Sequence, residues 1–183
     1  MQQAMNVVLN FVMDVLLLPL VLCVMLWARR RETTILHWGK SLNEDQLALA
    51  HAIGVASPER VRVMPVNVVP TLLPLTLQRA AEHLGGLPHI AGMTLGYGIV
   101  LRRDVCSDRR LLAHELAHVA QYERLGRFHG FLRRYVRECV WPGYPRGPLE
   151  FEARRAEAVI AAPVRVATQV TGECDTVRGY QSR

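Results

Sequence analysis

The chain has 183 residues, half of them hydrophobic and 21% charged, with 22 Lys and Arg against 16 Asp and Glu for a formal net charge of +6. That composition can bury a core and excludes a largely disordered chain, and the absence of a fixed-period repeat, a G-x-y register or sustained heptads excludes solenoid, collagen-like and coiled-coil architectures. The positive charge is almost all Arg, Lys40 being the only Lys, and it is scattered in short groups without interleaved aromatics, so it predicts no nucleic-acid partner. The cysteines Cys23, Cys106, Cys139 and Cys174 form no C-x-x-C pair, which argues against a zinc ribbon and a disulfide framework.

Taken in chain order, the first element is an apolar run. Val15 to Ala28 carries no charge, and with Asp14 tolerated the stretch 4–28 is long enough to span a bilayer at 1.5 Å per residue. Trp27 and the triplet Arg29-Arg30-Arg31 follow at its end, with no Lys or Arg before it, an asymmetry that puts the N-terminus outside and the rest in the cytoplasm as a single-pass anchored protein. A cleaved signal peptide fits poorly, for want of a basic start and a small-x-small site. A buried or interfacial helix is the alternative, favoured by Asn6, Asn10, Asp14 and Pro19. The expected division is a hydrophobic helix over 1–31, a domain over 32–170 and a flexible tail over 171–183.

Ser41-Leu-Asn-Glu44 has capping-box spacing and predicts a helix over Leu42 to Ile53 that stops at Gly54. Arg60 to Val66 alternates basic and apolar residues and predicts a half-buried strand ending at Pro65. A short helix is expected over Leu75 to Leu84. The run Gly92 to Leu101 is β-rich, with Gly96 and Gly98 around Tyr97 marking a bulge or a close backbone approach. Ser107 and Asp108 open a helix that ends at Gly126, Phe128 to Val140 forms another, and Pro148 begins a last helix over Leu149 to Ala162. The fold expected is α+β.

The chemistry lies on the helix after Asp108. His114-Glu-Leu-Ala-His118 places two imidazoles one turn apart on one face, where both can reach one ion, with Glu115 beside them as a base for a metal-held water. A catalytic zinc takes three protein ligands and leaves one position open. The metzincin extension is excluded, since Gln121 and Arg124 stand where it would need Gly and His. Among later acids, Glu150 is the best placed, in the first turn of the last helix with Ala153 one turn on; Glu157 is the fallback, and Glu152 points away from that face. Tyr144, just before Glu150, is the candidate donor to a developing oxyanion, with Tyr135 and His129 behind it. His37, His51, His83 and His89 have no ligand spacing.

HELAHVAQ followed by P-L-E-F-E-A resembles the glutamate-zincin metallopeptidases, and in particular the compact H-E-x-x-H-x-x-Q domains associated with extracellular contractile injection systems. Pro58-Glu-Arg-Val-Arg and Gly92-Met-Thr-Leu-Gly-Tyr-Gly-Ile are also similar to that group, so the resemblance spans roughly residues 45 to 160. It implies a minimal zincin-like domain, zinc held by His114, His118 and Glu150, and Glu115 as general base. It also implies that Thr94 to Leu101 is a sheet edge on which an extended peptide or protein substrate adds, with Gly96, Tyr97 and Gly98 as substrate-binding residues. In related membrane zincins an Asp often follows the Ala of E-x-x-A; here Arg154 stands there, and the partner of a metal-bound His is left unassigned. The function expected is zinc-dependent peptide hydrolysis, with a metal-stabilised, inactive peptide- or protein-binding module at a membrane as the alternative. The substrate and the oligomeric state are not legible.

Overall fold

The computed structural model describes residues 2–71 and 90–161, with the side chains of the first helix described from Leu18 onward. The expected helix at 75–84 and the tail from 171 lie outside the described residues. In order the elements are α1 (Gln2–Trp38), β1 (Lys40–Ser41), α2 (Glu44–Ile53), a 3-10 turn (Pro58–Arg60), β2 (Arg62–Val66), β3 (Gly92–Leu95), β4 (Gly98–Arg102), a second 3-10 turn (Arg103–Val105), α3 (Arg109–Arg124), α4 (Arg127–Glu138), a wide turn (Cys139–Gly143) and α5 (Pro148–Ala161). The architecture is α+β.

The sheet runs β1-β2-β4-β3. β2 and β4 are parallel, with Arg62 opposite Gly98 and Val66 opposite Arg102, while β1 and β3 are antiparallel to their neighbours. Pro65 sits inside β2 and does not end it, and the ladder explains why. The Arg62 N–H donates to the Tyr97 carbonyl, so Arg62, Met64 and Val66 point their amides at β4 and Pro65 faces the other flank. There β1 reaches only Arg62 and Val63, so the missing N–H breaks no hydrogen bond.

The stretch read as one strand over Thr94 to Leu101 is instead a hairpin. Gly96 has φ +68° and with Tyr97 forms a two-residue turn between Leu95 and its partner Gly98, a place where glycine carries no steric cost. Among the described residues β3 is therefore an outer strand, with β1 at the opposite edge, and Gly98 begins an inner strand. The close approach anticipated at these glycines is that of α1: a Cβ on Gly98 would lie 2.9 Å from the Ile35 Cβ, and one on Gly96 would collide with the Glu32 carboxylate.

α1 continues past the Arg triplet to Trp38 and joins the core through Val21, Ala28 and Ile35, seven residues apart on one face. Glu32 on this helix accepts a hydrogen bond from the Tyr97 N–H at 2.9 Å, and Arg29 lies over the Phe128 ring at 5.5 Å. Among the described residues no helix is long and apolar enough to cross a membrane. α2 starts two residues later than expected: Asn43 is the cap, in reciprocal bonds with Gln46, and Ser41 belongs to β1. Gly54 closes the helix in the left-handed conformation as expected. Cys23 and Cys139 are free thiols, whereas Cys106 is disulfide-bonded, a pairing that the sequence reading, which argued against a disulfide framework, did not anticipate.

α3 is capped by Asp108, which accepts from the Arg110 N–H at 2.8 Å, and buries Leu112, Leu116 and Val119 at helical spacing. It packs against the sheet on one side and against α4 and α5 on the other. Ala113, Ala117 and Ala153 are buried in this region, and their small side chains let the helices approach closely.

Candidate metal centre

Three elements converge on one point. α3 supplies His114 and His118, α5 supplies Glu150 from its first turn, and the edge strand β3 passes beside Glu115. The His114 and His118 Nε2 atoms are 3.2 Å apart, the Glu150 Oε2 lies 3.5 Å from the first, and its Oε1 lies 3.4 Å from the second. A tetrahedral zinc with bonds of about 2.0–2.1 Å holds its ligand atoms about 3.3–3.4 Å from one another. The three side chains thus stand close to the spacing such an ion needs, with one ligand atom from each within 4.8 Å of the others, and they form a group able to hold a metal ion. His118 and Glu150 are buried and His114 is partly so, as expected for a site walled off from bulk water.

The atoms behind the ligands fix their orientation. The Gln121 Nε2 donates to the Leu149 carbonyl at 2.9 Å, and because a carbonyl can only accept, this settles which way the amide points. Its Oε1 therefore faces His118 Nδ1, 2.8 Å away, so Nδ1 carries the proton and the Nε2 lone pair is free toward the cluster. His114 Nδ1 meets the Glu157 carboxylate at 2.6 Å, with the same consequence. Glu157, the fallback ligand in the sequence, is thus the partner of a ligand, and it fills the role that Arg154 left open. Glu150 is held by the Tyr135 hydroxyl, which donates to Oε1 at 2.6 Å.

Local sequence explains why these groups meet. Phe128, Phe131 and Tyr135 line one face of α4, packed edge-on against Tyr122 and His118 of α3, and the row ends at the Tyr135 hydroxyl. Glu138, at the end of α4, accepts from the Leu149 N–H at 2.8 Å and so anchors the start of α5. Glu152, expected to point away, accepts from Gln121 at 3.1 Å and pairs with Arg124 at 2.9 Å, tying the outer sides of α3 and α5.

The charges follow from this packing. Burial alone would raise the Glu150 pKa, but the adjoining His114 and His118 rings and the Tyr135 hydroxyl outweigh it and hold the carboxyl well below its ordinary value. Burial pulls the other way on His114, yet the hydrogen bond to Glu150 and the nearby Glu115 and Glu150 charges leave its pKa raised. Glu115 is only 3% exposed, and burial raises its pKa against the opposing pull of both histidines and of Thr94. The Thr94 hydroxyl lies 2.7 Å from the Glu115 Oε2 and 2.9 Å from its backbone carbonyl, and a Cβ on Gly92 would come within 2.6 Å of Oε1. β3 is therefore built against this carboxylate.

The remaining expected residues fall into two groups. Tyr144 stands half-exposed on the loop before α5, its phenol pushed up by burial and by the Glu150 and Glu115 charges. Tyr135 is spoken for by Glu150, and His129 is exposed on α4 with no contact to the cluster. Gly96, Tyr97 and Gly98 are not on the free edge. Tyr97 is buried between the Arg60 guanidinium, 4.0 Å over its ring, and Tyr122, and its hydroxyl donates to Glu123 at 3.0 Å. The residues of this hairpin that meet the site are Gly92 and Thr94, two strand positions apart and so on the same face, which the alternation of a strand could have indicated had the turn been placed at Gly96.

A model of the eCIS core domain family matches residues 77–126. That stretch holds β3, β4 and α3 with His114, Glu115, His118 and Gln121, and it ends before Glu150; over it the chain is similar to that family. No curated protein and no solved structure matches the chain.

Proposed function

We propose that this protein is a zinc-dependent metallopeptidase that hydrolyses peptide bonds, with His114, His118 and Glu150 as ligands and Glu115 as general base. The observation that carries the reading is the pre-formed triangle of two Nε2 atoms and a carboxylate, with a separate buried carboxylate next to it in sequence and space. Zinc held there would bring a bound water toward neutral pKa and polarise a carbonyl. Glu115 takes the proton from the attacking water and returns it to the leaving amine, a task for which a carboxyl raised above its usual range is suited. Thr94 keeps that carboxylate in one orientation, and Tyr144, whose phenol feels the Glu150 and Glu115 charges, would donate to the oxyanion. An extended peptide would pair along the free edge of β3.

A second reading, a metal-stabilised binding module without turnover, is favoured by the deep burial of Glu115. Glu115→Gln separates the two. A peptidase loses peptide cleavage at least a hundredfold while keeping zinc and fold, and a binding module loses nothing. We also propose that the N-terminal apolar stretch holds the domain at the cytoplasmic face of a membrane. The exposed Leu18, Leu22 and Leu26 on one side of α1, followed by the Arg triplet, support this. Failure of the full chain to float with anionic vesicles would refute it.

A further inference from the structure

Glu32 lies on α1, which supplies none of the groups around the metal centre, yet its carboxylate closes the turn of the β3–β4 hairpin. Its Oε1 accepts the Tyr97 N–H at 2.9 Å. Glycine at position 96 makes room for it, since a Cβ there would overlap the Glu32 carboxylate. Tyr97 is buried, so an amide deprived of this acceptor is costly. Ile35, three residues beyond Glu32, occupies the space beside Gly98, so α1 meets the hairpin at two successive points of its turn.

The same turn is clamped to α3. The Tyr97 hydroxyl donates to Glu123 at 3.0 Å, its ring meets Tyr122 edge-on at 5.5 Å, and the Arg60 guanidinium lies 4.0 Å over that ring. Two turns earlier on α3 stands Glu115. β3 leads from the clamp to that carboxylate: Leu95 pairs with Gly98 at the turn, the Thr94 hydroxyl lies 2.7 Å from the Glu115 Oε2, and Gly92 passes close beside Oε1. β3 is only four residues long and has no strand on its outer side among the described residues, so its position depends on β4 and on the turn.

We propose that Glu32 is a positioning residue for the general base: by holding the Gly96–Tyr97 turn it sets where β3 carries Thr94, and Thr94 in turn sets the orientation of Glu115. The inference rests on the metallopeptidase reading for the role of Glu115, whereas the link from Glu32 to the hairpin belongs to the metal-free fold. It gives α1 a part in the chemistry besides attachment.

The test uses the full chain in two states. In the metal-free chain, Glu32→Ala should speed hydrogen exchange of the hairpin amides about tenfold or more while the amides of α3 change less than about twofold. Glu32→Gln, whose amide oxygen can still accept from Tyr97, should stay within about threefold of wild type. In the cobalt-loaded chain, binding of acetohydroxamate is followed by the visible cobalt spectrum, because a hydroxamate on the metal presents a proton to the adjoining base. Glu32→Ala and Thr94→Val should each keep about one cobalt per chain and weaken the probe about fivefold or more, and the double variant should be no more than about twofold weaker than Thr94→Val alone. Where Glu32→Ala does not fold, Glu32→Asp, which withdraws the acceptor by one methylene, supplies the same comparisons. Losses that multiply in the double variant, a Gln variant as weak as Ala, no loss on Thr94→Val, or unchanged hairpin exchange overturns the inference. A wild type that takes up no cobalt, or whose cobalt spectrum ignores the probe, removes the metallopeptidase reading and with it the role given to Glu32, even where the hairpin exchanges as expected.

Discussion

Replacing Gln121 by Leu removes a side chain that both orients a ligand and fastens the helix of another. Gln121 is buried, its Oε1 accepts from His118 Nδ1 at 2.8 Å, and its Nε2 donates to the Leu149 carbonyl at 2.9 Å and to Glu152 at 3.1 Å. Leucine fills a similar volume but leaves the buried His118 N–H without a partner, at about 1–3 kcal/mol, and removes the tie from α3 to the Leu149 carbonyl, which as a helix residue still accepts within α5, the loss being partly offset by the gain from burying an apolar side chain. The net loss should be about 1–2 kcal/mol, a fall in Tm of about 5 °C for the metal-free protein. Zinc affinity, measured by competition with a chromophoric chelator, should weaken about 10- to 100-fold because the ring is no longer held in one tautomer and orientation. Gln121→Glu divides the two effects. It restores an acceptor for His118, so zinc binding should stay within about tenfold of wild type, while its carboxylate faces the Leu149 carbonyl and Glu152 and keeps stability low. A Leu variant with wild-type Tm and zinc affinity would refute the reasoning.

Two further outcomes follow from the same geometry. Tyr135→Phe keeps the stacked ring against Phe131 and removes only the hydroxyl on Glu150, so zinc should bind about tenfold more weakly with the fold intact by circular dichroism; unchanged affinity would show that Glu150 needs no such support. The raised His114 pKa means that protons compete with zinc for this ring at higher pH than they would for an ordinary histidine near 6.5. Affinity should therefore already be falling as pH drops toward 6.5, with proton release on zinc binding seen by calorimetry in two buffers, and a flat affinity between pH 8 and 6 would contradict it. The same shift gives the metal-free fold a stabilisation complete below about pH 6.5 and lost as pH rises through the higher folded value. Glu150, shifted down, contributes above its ordinary 4.5 and loses that contribution only as pH falls well below it.

How legible the site was depended on whether its contacts were local. His114, Glu115 and His118 lie within two turns of one helix, so spacing alone placed them together, and the small Ala153 marked where α5 could come close enough for Glu150. The partners of the ligands were not legible, because each depends on how two helices are rotated against each other. Glu157 has the right face for a ligand, and only the packing of α5 on α3 carries it past the cluster to the far nitrogen of His114. Gln121 was visible as part of the motif, yet its purpose appears only once the Leu149 carbonyl lies beneath it. In the sheet, the Gly-x pattern at Gly96 fits both a bulge and a tight turn; reading it as one continuous strand put the edge at the wrong residues and passed over Thr94 as the partner of Glu115. The parallel pairing of β2 with β4 is non-local and had no signature in either segment.

The central claim is that His118 and Glu150, from different helices, hold one ion together with His114. Elemental analysis of the full chain, purified without chelator, beside His118→Ala and Glu150→Ala tests it most directly. The account predicts about one zinc per wild-type chain and loss of that zinc in both variants. Wild type that carries no metal and takes none up on addition of zinc, or a Glu150→Ala chain that keeps a full equivalent, would contradict it.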